Sequence, residues 1–143
     1  MIYADLPAGS SVFLDASVLI HHFEPNPAHG PASTTFLERI ENQELVGYVS
    51  THIVSEIAHR LMTIEAMQAF GWPSAGIALR MRNHPTQVQS LQRFRQAIQE
   101  IPLFAIRMLT VDPASLDQAA GISQQFASCT TMLLWSPSCM RMA

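Results

Sequence analysis

Short apolar runs that read as buried strands alternate along this chain with longer stretches whose apolar positions recur at helical spacing. In residues 11–16 the run Val12-Phe13-Leu14 delivers the carboxylate of Asp15 to a turn. A helix over 17–23 follows and is stopped by Pro25 and Pro27. His29-Gly30-Pro31 reads as loop. Ser33 or Thr34 is expected to cap a helix through Asn42 that keeps Phe36, Leu37 and Ile40 on one face. Residues 46–50 form a second strand. Thr51 is expected to cap a long helix with Ile53, Val54, Ile57, Ala58, Leu61 and Ile64 at helical spacing, closed by Gly71-Trp72-Pro73. Residues 76–82 are ambiguous, and Asn83-His84-Pro85 is a break. Residues 86–100 read as one helix with Val88, Leu91, Phe94, Ala97, Ile98 and Ile101 inward. A third strand lies within 103–111, and Asp112-Pro113 opens a helix over 114–126. Strands alternating with helices predict an α/β fold, a parallel sheet flanked by helices.

Composition narrows the class without deciding it. A chain of 143 residues with 48% hydrophobic and 13% charged residues is expected to form one globular core rather than a disordered segment. The net charge of −3 gives no global footprint for nucleic acid. Between Trp72 and Arg107, however, five arginines (Arg80, Arg82, Arg93, Arg95, Arg107) face the single acid Glu100, a modest phosphate-facing patch or a solvated helix face. There is no lysine. The first residues carry neither a basic cluster nor a long apolar core, no run approaches a membrane span, and both cysteines (Cys129, Cys139) fall late in the chain without a metal or disulfide spacing. A reducing cytoplasm is the expected compartment.

The candidate chemistry is acidic. Asp15 leaves the carboxyl end of the first strand, where α/β folds bind ligands. Glu56 reads as a lone acid within an otherwise apolar helical face, about one turn past the second strand. If those strands are neighbours, both carboxylates reach the same sheet edge, and a cation or proton must offset them. Mg²⁺ or Mn²⁺ suits such oxygen ligands. The simpler alternatives are that Asp15 and Ser17 cap the next helix and that Glu56 pairs with Arg60 at i,i+4. A rival metal site, His52, Glu56 and His59 on one helix face, lacks the repeated Glu-x-x-His of a di-iron bundle. His21, His22, His29 and His84 sit in or beside turns and read as structural or solvent-exposed. Asp112 reads as a helix cap and Asp117 as a solvated residue. No Gly-rich phosphate loop is present.

Phe13-Leu14-Asp15-Ala16-Ser17-Val18-Leu19-Ile20 resembles the opening motif of PIN domains, and Ser50-Thr51-His52-Ile53-Val54-Ser55-Glu56-Ile57 resembles their second acidic motif. The similarity is to the VapC-like toxins of toxin–antitoxin pairs and covers roughly residues 11 to 126 in element order. It implies a Rossmann-like three-layer arrangement and a Mg²⁺- or Mn²⁺-dependent endoribonuclease. Asp15 and Glu56 would be metal ligands and Ser17 a supporting hydroxyl. RNA would be the substrate, and a cognate antitoxin and a second copy of the chain the partners. The alternative is a catalytically inactive PIN-like module that still binds an antitoxin or RNA.

The resemblance stops at residue 127. Where the family has a third acid in an Asn-Asp-Ala-like segment and a further strand, residues 128–143 carry no acid but both cysteines and three of the eight methionines. Permitted codons for this tail, read in another frame, spell a string containing Asn-Asp-Ala. The expectation is therefore a PIN-like domain over 1–127, an aberrant tail over 128–143 produced by a frameshift, and a C-terminal part of the fold that is incomplete.

Overall fold

The computed structural model describes residues 5–24 and 26–126. The expected tail, 128–143, lies outside them, as does Pro25. The described strands are β1 (Ser11–Phe13), β2 (Val46–Ser50) and β3 (Arg107–Leu109). The helices are α1 (Ala16–Phe23), α2 (Gly30–Glu41), α3 (Thr51–Phe70), α4 (Ile77–Asn83), α5 (Pro85–Gln89), α6 (Arg93–Glu100) and α7 (Pro113–Phe126), with a 3₁₀ turn at Ile101–Phe104. The strands form one parallel sheet in the order β1-β2-β3, flanked by helices, as the alternation of periods predicts. The chain falls into two compact units, one ending at Met108 and the other beginning at Leu109. Among the described residues, no helix is long and apolar enough to cross a membrane.

The first unit is built on the pairing of β1 with β2. Ser11, Val12 and Phe13 lie opposite Val46, Gly47 and Tyr48. The backbone N–H of Leu14 then donates to Tyr48 O at 2.8 Å, and Leu14 itself is fully buried. Helix α2 presses on one sheet face so closely that a Cβ at Gly47 would fall 2.8 Å from Cγ2 of Ile40. Glycine is required there by space, not by conformation. Leu14, Leu19, Leu37, Ile40, Leu45, Val49, Ile57, Leu61 and Ile101 are all essentially inaccessible and form the core. A second apolar cluster gathers Ala66, Met81 and Leu91 under Met62, Phe70, Trp72, Ile77, Val88 and Phe94. It closes the far end of α3, where Gly71 adopts the left-handed conformation that ends a helix.

Three local expectations are corrected and one open stretch is assigned. Helix α2 starts at Gly30 rather than after a loop, because Pro31 occupies its first turn, where a missing N–H costs nothing; Ser33 is inside the helix and buried rather than a cap, and Thr34 is likewise internal. The cap of α3 is Ser50, not Thr51: the Ser50 hydroxyl accepts the Ile53 N–H at 3.2 Å. The ambiguous stretch 76–82 is largely the helix α4. Finally, 86–100 is not one helix but two, α5 and α6, with a break at 90–92.

Glu65 accounts for that last break. Its carboxylate is buried and accepts three backbone N–H groups at the start of α6: Gln92 at 2.9 Å and Arg93 at 3.0 Å on Oε1, and Phe94 at 2.9 Å on Oε2. An acid from α3 thus supplies the cap that α6 lacks in its own sequence, and the helix dipole favours its charge. Nearby, Arg93 donates to Gln68 Oε1 at 2.7 Å and to Glu24 Oε1 at 3.2 Å, while Gln68 Nε2 donates to Glu24 Oε2 at 3.1 Å. This closed ring ties the end of α1 to α3 and α6. Burial pushes the Glu65 carboxyl up, but the three N–H donors and the Arg93 charge outweigh it and hold it below the ordinary glutamate range.

A group whose pKa is depressed by folding contributes stability above its unfolded value and loses it as the pH falls through the folded one. Glu65→Ala is expected to cost about 2 kcal/mol in urea unfolding at neutral pH, the sum of a lost cap and stranded donors. The difference from the parent protein should shrink below about pH 4, as the parent's carboxylate protonates. A pH-independent difference would contradict the assignment.

Candidate metal centre

The site begins with the way β1 ends. Leu14 is drawn into the core, and Asp15 follows in extended conformation as the cap of α1. Its Oδ2 accepts the Ser17 hydroxyl at 2.6 Å and, more weakly, the Ser17 N–H at 3.4 Å. The capping role and the expected serine support are therefore one structure. Asp15 remains exposed, so capping does not consume the carboxylate. The Ser17 hydroxyl holds its carboxyl below the ordinary aspartate range. Partial burial opposes this, and the Ser17 and Ala16 N–H groups and the Arg60 charge add to it.

The strand register brings the second motif alongside. Phe13 pairs with Tyr48, so two residues further on Asp15 is level with Ser50, the cap of α3. Glu56 follows on that helix. It is not within the apolar face, as the sequence suggests, but half-buried beside it; a buried row recurs every fourth residue at Ile53, Ile57, Leu61 and then Glu65, with Ala66 next to it. Glu56 Oε1 lies 3.0 Å from Arg60 Nη2, the i,i+4 pair anticipated above. With both side chains partly exposed, such a pair contributes only about 0.3–0.5 kcal/mol.

The rival histidine site is not assembled. His52 and His59 are exposed, and among the described residues no group of three or more His, Cys, Asp or Glu side chains is placed to hold a metal ion. Asp15 and Glu56 are both oxygen donors, a chemistry that suits Mg²⁺ or Mn²⁺ rather than a closed zinc site.

The remaining candidates are structural in character. His22 Nδ1 is 2.9 Å from Thr34 Oγ1 and its ring meets Phe104 edge-on; burial lowers its pKa against the pull of Glu100 and Glu38. His21 contacts Asn26 at 3.0 Å and His29 ring to ring, and His84 packs on Trp72. Asp112 caps α7 by accepting the Ser115 N–H at 2.7 Å, and Asp117 is exposed. The arginines do not act as one patch: Arg93 is held in its ring, and Arg107 donates to Tyr48 Oη at 3.3 Å with its guanidinium over the ring, while Arg80, Arg82 and Arg95 are exposed. Clefts of about 160 and 470 Å³ flank the end of α1, and neither is lined by Asp15 or Glu56.

No protein-family model matches this chain, and no curated protein and no solved structure is significantly similar to it.

Ser17→Ala should raise the Asp15 carboxyl pKa toward the ordinary value near 4, read by NMR titration of its side-chain carbon. Acid resistance should fall in the same direction, since the stabilisation from a depressed carboxylate is lost at the higher pH where the group now protonates. An unmoved titration would show that Ser17 does not hold the charge.

Proposed function

We propose that this chain is a metal-dependent endoribonuclease of PIN type, the toxin of a cytoplasmic toxin–antitoxin pair. The observation that carries the proposal is the Asp15 turn: an ionised, hydroxyl-braced and exposed carboxylate at the carboxyl end of a parallel strand, level with the cap of the helix that bears Glu56. Its position supports the proposal: in open α/β sheets ligands bind outside the carboxyl ends of the parallel strands, which is where Asp15 leaves β1.

Asp15 and Glu56 would hold Mg²⁺ or Mn²⁺. Such an ion, when bound, activates a water and neutralises charge on a phosphate under in-line attack. The chain's own contributions are orientation and charge. Ser17 fixes one oxygen of Asp15 by donating to it and helps keep the carboxylate ionised into the acid range. Glu56 gives up a weak surface ion pair to bind. RNA would be the substrate, with an antitoxin and a second copy of the chain as partners.

A second reading, a catalytically inactive PIN-like module that binds an antitoxin or RNA, is favoured by one observation: among the described residues no group of three or more His, Cys, Asp or Glu side chains is placed to hold a metal ion.

RNA cleavage in Mn²⁺ decides between them. The nuclease reading predicts metal-dependent cleavage that Asp15→Asn reduces by about a hundredfold or more. Equal activity of the two proteins would refute it, and RNA binding without cleavage would support the inactive module.

A further inference from the structure

Charge is unevenly distributed along this chain. Residues 66–99 contain four arginines (Arg80, Arg82, Arg93, Arg95) and no Asp or Glu, within a chain of net charge −3, so the remaining residues carry −7. The same segment builds one lobe. The end of α3, α4, α5 and the start of α6 share the apolar cluster of Ala66, Met81 and Leu91, with Phe70, Val88 and Phe94 packed against it. The acids that border the lobe leave most of its charge in place. Glu65 is buried against the N–H groups of α6, Glu24 is matched by Arg93, and Glu100 follows Arg95 only at the far end of α6. Arg80, Arg82 and Arg95 are exposed and, among the described residues, in no ion pair.

The three arginines share a lobe but not a face. In α4 only Met81 is buried, and Arg80 and Arg82 flank it about 200° apart around the helix axis. A flat anionic surface meets one flank at a time, whereas a flexible polyanion follows the curvature and meets both. The exposed side chains among the arginines include the neutral donors Asn83, Thr86, Gln87, Gln89 and Gln96. Guanidinium groups with amide and hydroxyl donors are the set that holds phosphate and sugar oxygens. We propose that this lobe docks the phosphate backbone of single-stranded RNA. The choice of RNA rests on the ribonuclease reading above. The lobe packs on α3 from Met62 onward, so it stands about 18 Å or more along the helix from Ser50, the residue level with Asp15. It therefore retains a strand at a distance from the Asp15 turn, and the acidic remainder of the chain steers the strand toward it.

The experiment is RNA binding by fluorescence anisotropy with divalent ions chelated, so that no cleavage intervenes. The probe is a labelled oligouridylate of about twelve nucleotides, which at roughly 3.4 Å per nucleotide exceeds the length of α3. Removing three phosphate contacts should lower the slope of log affinity against log salt by about 2. The parent should therefore lose roughly twentyfold more affinity between about 50 and 200 mM salt than the triple variant Arg80→Gln, Arg82→Gln, Arg95→Gln. The corresponding triple Arg→Lys variant keeps the charge and should keep the parent's slope. All three positions are exposed, and equal melting temperatures check that the variants remain folded. An equal slope in the parent and the Gln variant, or no RNA binding by the parent, overturns the role of the lobe. The ribonuclease reading then stands if cleavage in Mn²⁺ still depends on Asp15, and falls with the lobe if it does not. Phosphatidylserine vesicles or polyglutamate bound more tightly than RNA, and lost in the Gln variant, would assign the lobe to another partner and overturn the proposal.

Discussion

The parallel pairing of β1 with β2 is the constraint on which the candidate site depends. Three residue pairs and the hydrogen bond from Leu14 N to Tyr48 O fix how far each strand runs before its chain turns into a helix. Because Phe13 faces Tyr48, the caps of α1 and α3 leave the sheet at the same level, and Asp15 and Ser50 become neighbours in register. A slip of one residue would do more than misalign them. It would exchange the faces of every side chain on the strand, turning Leu14 out of the core and bringing a side chain where Gly47 now meets Ile40. Packing of α2 therefore enforces the register that sets Asp15 level with Ser50.

Helix α3 carries the second acid and distributes its charges by periodicity. Glu56 and Glu65 are nine residues apart, two and a half turns, and so face opposite ways. Glu56 stays half-exposed beside the sheet's carboxyl edge, with Arg60 one turn on. Glu65 continues the buried row of Ile53, Ile57 and Leu61, where its charge is compensated by the start of α6. Two glutamates of identical chemistry thus have opposite duties. The buried one is saturated by backbone donors and orders α6. The half-buried one is paired with a surface arginine.

The Asp15 cap and its Ser17 hydroxyl were legible in the sequence because that chemistry is local. Asp15, Ser17 and the end of the first apolar run lie within a few residues, and a cap and a hydroxyl support follow from their order alone. The second strand and the long helix were equally readable, their apolar positions being dictated by burial on one face. Glu65 was not read, although the signal was present: an acid at the next fourth position of an apolar row demands a partner, and that partner lay 27 residues away at Gln92. The division of 86–100 into two helices was lost for the same reason, since local spacing is continuous through a break that a distant side chain imposes. The start of α2 was misjudged by treating Gly30 and Pro31 as loop formers when proline is compatible with a first helical turn. The levelling of Asp15 with Ser50 depends on the strand register, which no single segment encodes.

The central claim is that Asp15 and Glu56 together form a binding site for a hard divalent cation at the carboxyl edge of the sheet. Its most direct measurement is paramagnetic line broadening of backbone amide signals by substoichiometric Mn²⁺. The account predicts broadening confined first to the Ala16–Val18 turn and to the helix around Glu56, and its removal by excess Mg²⁺. Broadening centred elsewhere, or spread evenly over the exposed acids, would contradict it.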